Sequence, residues 1–417
     1  MRCPSAAPPF RAFRSSAVTG RSCDRPRGVR DGTREVEDGV SRSWASVSSR
    51  SYWASPAKRI VSIVTADEIA RRIVAEAVAP ACAAGCAVRS ASWRRELGGE
   101  VDVLFDLASV TKPFTAVAVA RAGIAPDTPL GALLREACGT ASETATVECL
   151  LAHRAGLEAH RPLYAPLLRN ESVDMAAALH EAADARRSDA QGDVPPDGFA
   201  PLYSDLGYIL VGAALARAVG ARGAGEAIGE LVLRPLGIAA AAGTVRDLKE
   251  RGIDGPYAPT EDVEWRGGLI CGAVHDENAW ALTGLGGSGH SGLFATAEAV
   301  LTFGQAVLDS LDGLESALGK VDLHWLVRER PGGSLRAGFD GKSPAESSAG
   351  SRMAMASFGH LGFVGTSLWI DPENHTIVTL LTNRVRYGRN HFAIRAARPW
   401  AHDALWERAR EISACHP

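Results

Sequence analysis

The sequence predicts a mixed α/β (α+β) fold in which one antiparallel sheet is assembled from both ends of the chain, flanked by helices, with an all-helical lobe inserted between its halves. Three observations predict it. Strand-like apolar stretches occur at 85–88 and 101–104 and return at 363–370 and 376–382, so the β signal sits at the two ends. Helix signals fill the interval between them. Amphipathic helices open and close the folded part, where they can cover the sheet.

Taken in order, the folded part opens at Thr65-Ala66-Asp67-Glu68, a capping box followed by an apolar face of Ile69, Ile73, Val74 and Ala77. That helix ends before Pro80. The strand-like pieces Gly85–Val88 and Val101–Leu104 lead into an apolar helix from Ser109 onward. A short helix, the run TVECLLAHRAGL (146–157) and a helix with a polar loop (165–200) follow. The next helix spans Leu206 to Val219 and stops at Gly220. Residues 240–290 are Gly-rich and irregular, which over such a length predicts a site-forming loop. Helix signals return at 297–314, a polar Gly/Ser stretch follows at 331–350, and the late hairpin turns at Asp371-Pro372-Glu373-Asn374. A helix after Pro399, with Trp400, Ala404, Leu405, Ala409 and Ile412 on one face, closes the chain.

The folded domain is therefore expected over 65–412, with the helical lobe at about 110–350 and the sheet lobe at about 65–108 and 355–412. Residues 1–60 carry 11 Arg and Lys58 against five acids, net +7. Residues 1–58 lack spaced apolar positions and read as a disordered basic tail, or as a start assigned too early with translation near Val61 or Val64. The five acids speak against a transit peptide, and the absence of a 7–15-residue apolar segment speaks against a secretory signal. The remainder has 33 basic and 43 acidic residues, which disfavours nucleic acid as a partner. No stretch reaches the roughly 18 apolar residues of a membrane span, so no membrane partner is expected and a cytoplasmic location is the default. Eight cysteines show no C-x-x-C and read as free thiols. No metal or cofactor is expected, and oligomeric state stays open.

The chemistry begins at Ser109-Val110-Thr111-Lys112, inside LFDLASVTKPFTAVAVARAG (104–123). Residues i and i+3 share a helix face, so an amine one turn after a serine can take its proton if the amine becomes neutral. Lysine can lose its charge on burial, whereas arginine cannot. Among 45 Lys and Arg only five are Lys, so Lys112 looks chosen for its chemistry. A second S-x-x-K, Ser55 to Lys58, lies in a polar tract with no helix around it and reads as a chance match.

Two further elements follow in order: Tyr203-Ser204-Asp205 ahead of a helix, and His360-Leu361-Gly362 ahead of the hairpin. Together with the wording LFDLASVTK, LLAHRAGL, YSDLGYILVG, VHDENA and GHLGFVGTSLWIDP, they resemble the serine β-lactamase and penicillin-recognising family, in its class C-related esterase and peptidase branch. The resemblance covers roughly residues 65–412. It implies that Ser109 is acylated, and that the N–H groups of Ser109 and Phe363 form an oxyanion hole. It implies that Lys112 is the proton acceptor or the tuner of the neighbouring phenol, and that Tyr203 is the second acid/base. Asp205, His360, Gly362 and Phe363 would border the substrate. His153 resembles a family landmark that braces a loop and reads as structural.

Departures from the family pattern are also present. Leu361 stands where a threonine hydroxyl can serve near a substrate carboxylate, and no Lys occupies 360; both weaken β-lactam or D-Ala-D-Ala substrates. The interval from Gly85 to Ser109 is short for two full strands, which predicts a trimmed sheet edge. His275-Asp276-Glu277-Asn278 resembles a list of metal ligands, yet adjacent side chains in irregular chain seldom converge, so it reads as pocket framing. The expected function is hydrolysis of a small ester or amide through an acyl-enzyme. The alternatives are β-lactamase, D,D-carboxypeptidase or D-aminopeptidase activity, and a non-catalytic ligand-binding homologue.

Overall fold

The computed structural model describes residues 64–414. The basic segment 1–58, and with it the Ser55–Lys58 motif, lies outside the described residues.

One six-stranded antiparallel sheet organises the molecule. Its strands are β1 (Cys82–Arg89), β2 (Trp93–Gly99), β3 (Asp340–Gly341), β4 (Phe358–Leu361), β5 (Ser367–Asp371) and β6 (Thr376–Thr382), in the order β2-β1-β6-β5-β4-β3. The two chain ends meet at the β1–β6 pair, where Cys82 faces Thr382 and Val88 faces Thr376. β6, Thr-Ile-Val-Thr-Leu-Leu-Thr, is buried at every position. Val378 and Leu380 join one core with Cys82, Cys86 and Trp369, while Ile377 and Leu381 join another with Ala83 and Leu368. A strand buried on both faces has no exposed alternate positions, which is why its signal is an unbroken run of Thr, Ile, Val and Leu with no charged residue.

Helices α1 (Ala66–Ala75) and α5 (Ala393–Ala414) cover the first face, and α4 (Ala297–Leu311) covers the second. α1 starts on the expected capping box: Thr65 accepts from the Glu68 N–H, and Glu68 from the Thr65 N–H. Gly304 lets α4 approach β6, because a Cβ there would lie 2.9 Å from Ile377 Cγ2. α2 (Thr111–Arg121) and α3 (Asp205–Val219) form the heart of the inserted lobe, and α2 is buried from Thr111 through Val119. The lobe also holds short strand pairs, Phe105–Asp106 and Ala242–Gly243 on either side of Phe294–Ala295, and Asp262–Val263 with Gly268–Leu269.

The sheet edge is not trimmed. The expected piece at 101–104 is not the second strand; Trp93–Gly99 is, pairing with β1 from Ala83–Gly99 to Arg89–Trp93. Its polar sequence Trp-Arg-Arg-Glu-Leu-Gly-Gly hides it from hydrophobic patterning because it is an edge strand, where charge blocks pairing with other chains. Of the expected strand at 363–370, only Ser367–Ile370 is strand, within β5; residues 362–366 form the turn that joins it to β4, which ends at Leu361. α5 begins at Ala393 rather than after Pro399, which it contains. Burial of Ile394, Ala397 and Ala401 in the core of that face outweighs the roughly 3 kcal/mol cost of an internal proline. Among the described residues no helix is long and apolar enough to cross a membrane.

Candidate active site

Ser109 lies in a single turn of 3-10 helix, Ala108–Val110, that runs directly into α2. Ala108 adopts φ +47°, a left-handed conformation that L-residues avoid, at the position before the hydroxyl. Buried Asp106 secures this turn by accepting the N–H groups of Ala108 and His275, both at 2.8 Å. Burial, against those two hydrogen bonds, raises the Asp106 pKa.

Lys112 is fully buried one turn later. Its Nζ donates to Ser109 Oγ at 2.8 Å, to Asp205 Oδ1 at 2.8 Å and to the His290 carbonyl at 3.3 Å. Three protons and three acceptors describe an ammonium. Burial works to lower the Lys112 pKa, but the Asp205 carboxylate, with Tyr203 beyond it, outweighs burial and holds it above the ordinary value. The Asp205 carboxyl is held below its ordinary range, Lys112 overcoming the burial that acts the other way. Spacing along the helix brings amine and hydroxyl together as expected, but Asp205 keeps the amine charged. Burial alone does not make Lys112 a resting base.

Tyr203 precedes α3, its ring 4.9 Å from Lys112 Nζ. Burial raises the phenol's pKa more than Lys112 lowers it, so the resting phenol keeps its proton. His153 stacks on this ring with centroids 4.5 Å apart, and its Nδ1 accepts the Ser204 N–H at 2.9 Å. His153 thus braces the tyrosine itself. Ser204 is not a side-chain cap for α3; its hydroxyl donates to the Glu158 carbonyl at 2.6 Å. His360 lies beyond, with a ring–ring distance of 6.0 Å to Tyr203, and its Nδ1 is bonded to the Leu361 carbonyl at 2.8 Å. Burial first, and Lys112 second, push the pKa of both histidines down to about 3, so both are neutral.

The turn after β4 carries Gly362 and Phe363. Thr366 Oγ1 donates to the Leu107 carbonyl at 2.9 Å, and Val364 packs on Ala108, which ties this turn to the one bearing Ser109. A Cβ at Gly362 would lie 2.0 Å from Thr366 Oγ1 and 2.5 Å from the Leu107 carbonyl oxygen, so glycine is required for that approach. The N–H groups of Ser109 and Phe363 have no protein acceptor among the described residues. Ser109, Tyr203, Asp205, His360, Gly362 and Phe363 all line one cavity of about 570 Å³.

The other walls come from three segments. His160 and Tyr164 belong to the loop at 155–200, and His275, Asp276 and Glu277 to the loop at 240–290. A third wall, Arg384, Arg389, Arg395 and Arg398, comes from the C-terminal segment and carries no motif in the sequence. Arg384 and Arg398 are buried against backbone carbonyls and Arg389 pairs with Glu261 and Glu277, which leaves Arg395 as the exposed arginine of this wall with no ion pair among the described residues.

The His275–Asn278 run scatters to different partners. His275 Nε2 meets Glu261 at 2.9 Å, Asp276 meets His290 Nε2 at 2.8 Å, Glu277 pairs with Arg389, and Asn278 Nδ2 donates to the Arg161 carbonyl at 2.8 Å. Among the described residues no group of three or more His, Cys, Asp or Glu could hold a metal ion.

The sheet assembled from both chain ends and the helical lobe inserted between its halves define an architecture shared by β-lactamases and penicillin-binding-protein homologues. The chain belongs to the beta-lactamase family, whose family model matches residues 67–398. A Salmonella gallinarum protein described as "Putative D-alanyl-D-alanine carboxypeptidase" is 27% identical over 199 residues, 44% of this chain and 45% of that one. The match thus spans about half the length of the curated relative. Among solved structures, a class C beta-lactamase from Rhodobacter sphaeroides has TM-score 0.56 at 16% identity, covering 82% of this chain and 97% of that chain. EstCE1, a hydrolase with promiscuous acyltransferase activity, has TM-score 0.57 at 17% identity, covering 81% and 96%. These likenesses establish the fold.

Proposed function

We propose that the protein is a serine hydrolase that forms an acyl-enzyme on Ser109 and hydrolyses a small ester or amide. The observation that carries this reading is the Ser109–Lys112–Asp205 chain of 2.8 Å hydrogen bonds beside Tyr203, at a cavity where two backbone N–H groups lack acceptors. Ser109 Oγ attacks the substrate carbonyl carbon, and the carbonyl oxygen becomes an oxyanion held by the Ser109 and Phe363 N–H groups. Such donors are worth about 3 kcal/mol each. Tyr203 accepts the serine proton as it passes its own to the leaving atom, so the C–leaving-group bond breaks without a resting phenolate. The Lys112 ammonium orients Ser109 Oγ and stabilises negative charge on either oxygen. Water then repeats the sequence in reverse roles.

A second reading, D,D-carboxypeptidase or β-lactamase activity, is supported by Arg395. It is exposed on the pocket wall with no ion pair among the described residues, and can receive a substrate carboxylate. The Salmonella relative's description points the same way. Intact-mass analysis after treatment with a fluorophosphonate and with a penicillin, followed by peptide mapping, tests both. Labelling of Ser109 by the first supports the hydrolase reading, and by both supports the second. Wild-type labelling retained in Ser109→Ala would overturn the assignment.

A further inference from the structure

Two guanidinium groups lie behind the Gly362–Thr366 turn. Arg398, on α5, is buried and donates through Nη2 to the carbonyls of Gly362 at 2.9 Å and Thr366 at 2.8 Å. Arg384, after β6, is also buried; its Nε donates to the Phe363 carbonyl at 3.0 Å, and its Nη1 to the carbonyls of Arg389 at 2.9 Å and His391 at 3.1 Å. Neither has a carboxylate partner among the described residues. Burying a charge without a counter-charge is costly, and neutral donors would suffice merely to cap these carbonyls.

The two arginines differ in which peptide group they touch. A peptide unit is planar and joins the carbonyl of one residue to the N–H of the next. The Gly362 carbonyl therefore belongs to the same amide as the Phe363 N–H, which has no acceptor and borders the cavity. A charged donor on that carbonyl draws electron density toward oxygen and makes the N–H a stronger donor. The Phe363 carbonyl, which Arg384 holds, belongs to the next amide, whose N–H is that of Val364. Burial, with Arg384 second, pushes the Arg398 pKa down to about 9, so it stays charged at neutral pH.

We propose that Arg398 is a positioning residue for acylation: it fixes and polarises the Gly362–Phe363 amide, so that the Phe363 N–H binds the oxyanion more strongly than an unassisted amide would. This rests on Ser109 being the acylated residue. The charge of Arg398 is carried to the reacting carbonyl through one peptide bond, with no contact between the guanidinium and the substrate.

The test uses the full chain acylated by a slowly hydrolysed ester, p-nitrophenyl cinnamate, labelled with ¹³C at the ester carbonyl. The acyl-enzyme carbonyl band is read by difference infrared spectroscopy, and acylation by p-nitrophenolate release. Arg398→Gln is expected to shift the band to higher wavenumber and to slow acylation roughly tenfold, with little change in the substrate dissociation constant read from the concentration dependence of the p-nitrophenolate burst rate. Arg398→Lys, which keeps the charge, is expected to fall between the two and serves if the Gln variant does not fold. Arg384→Gln braces the same turn less well, and is expected to lose stability while leaving the band in place. An unshifted band in a folded Arg398 variant would overturn the proposal, as would an equal shift in Arg384→Gln, which would reduce Arg398 to a brace. Failure of the wild type to form any acyl-enzyme would overturn the hydrolase reading and this inference with it.

Discussion

Replacing Asp205 by Asn removes one charge from the Lys112 pair while keeping its shape. The ions are 2.8 Å apart, with Lys112 fully buried and the Asp205 side chain 23% exposed. At an effective dielectric near 20 their gross attraction is roughly 6 kcal/mol, part of which only offsets the burial of the ammonium. Breaking such a pair typically costs about 3–5 kcal/mol, and the partial exposure of Asp205 points to the lower end, about 3 kcal/mol at pH 7. In the wild type, the raised Lys112 pKa contributes stability fully present below its unfolded value of 10.5 and lost as pH rises through the folded value. The lowered Asp205 pKa contributes stability present above 3.8 and lost as pH falls through its folded value. In Asp205→Asn, only Tyr203 is left to oppose burial, and the Lys112 pKa is expected to drop below 10.5. The unfolded state then binds more protons between the two values, so the variant gains stability with rising pH. Urea denaturation at pH 6, 7 and 9 should show the gap to wild type narrowing toward alkaline pH, and the alkaline limb of kcat/KM should move to lower pH. A gap under about 1 kcal/mol at pH 7 with no narrowing would refute the charged-pair reasoning.

Three further outcomes follow from the same geometry. His153 and His360 are pushed to about 3 and His402 to about 4, from an ordinary 6.5, in each case chiefly by burial. The stability due to their neutral forms is complete above 6.5 and falls as pH drops toward 4, at up to roughly 4 kcal/mol per pH unit; a flat urea midpoint from pH 6.5 to 4.5 would contradict it. Gly362→Ala must open the turn against Thr366 and Leu107, so a loss of about 3 kcal/mol is expected, with at least a roughly hundredfold fall in p-nitrophenyl ester turnover. His153→Ala leaves the buried Ser204 N–H without its acceptor and Tyr203 without its stack, so we expect about 1–3 kcal/mol lost and kcat lowered more than KM is changed. Wild-type kcat in that variant would show that the stack does not position the phenol.

The sequence alone determined what depends on neighbours along the chain. Helical periodicity places Ser109 and Lys112 on one face, the Thr65–Glu68 box starts α1, and β-branched runs mark the sheet strands at the C-terminal end. Five ordered segments also sufficed to indicate the family. Edge strand β2 escaped because charge, which suits an edge, erases the hydrophobic signal, and the start of α5 escaped because packing overrode the proline. Only the tertiary structure decided the protonation of Lys112, since its counter-ion lies 93 positions away and a pKa responds to distance in space. The same holds for His153 against Tyr203, for Asp106 beneath Ala108, and for the arginine wall. Arginine in a C-terminal helix reads locally as a solvated cation; burial of Arg398 against the Gly362 carbonyl exists only once α5 docks on the sheet.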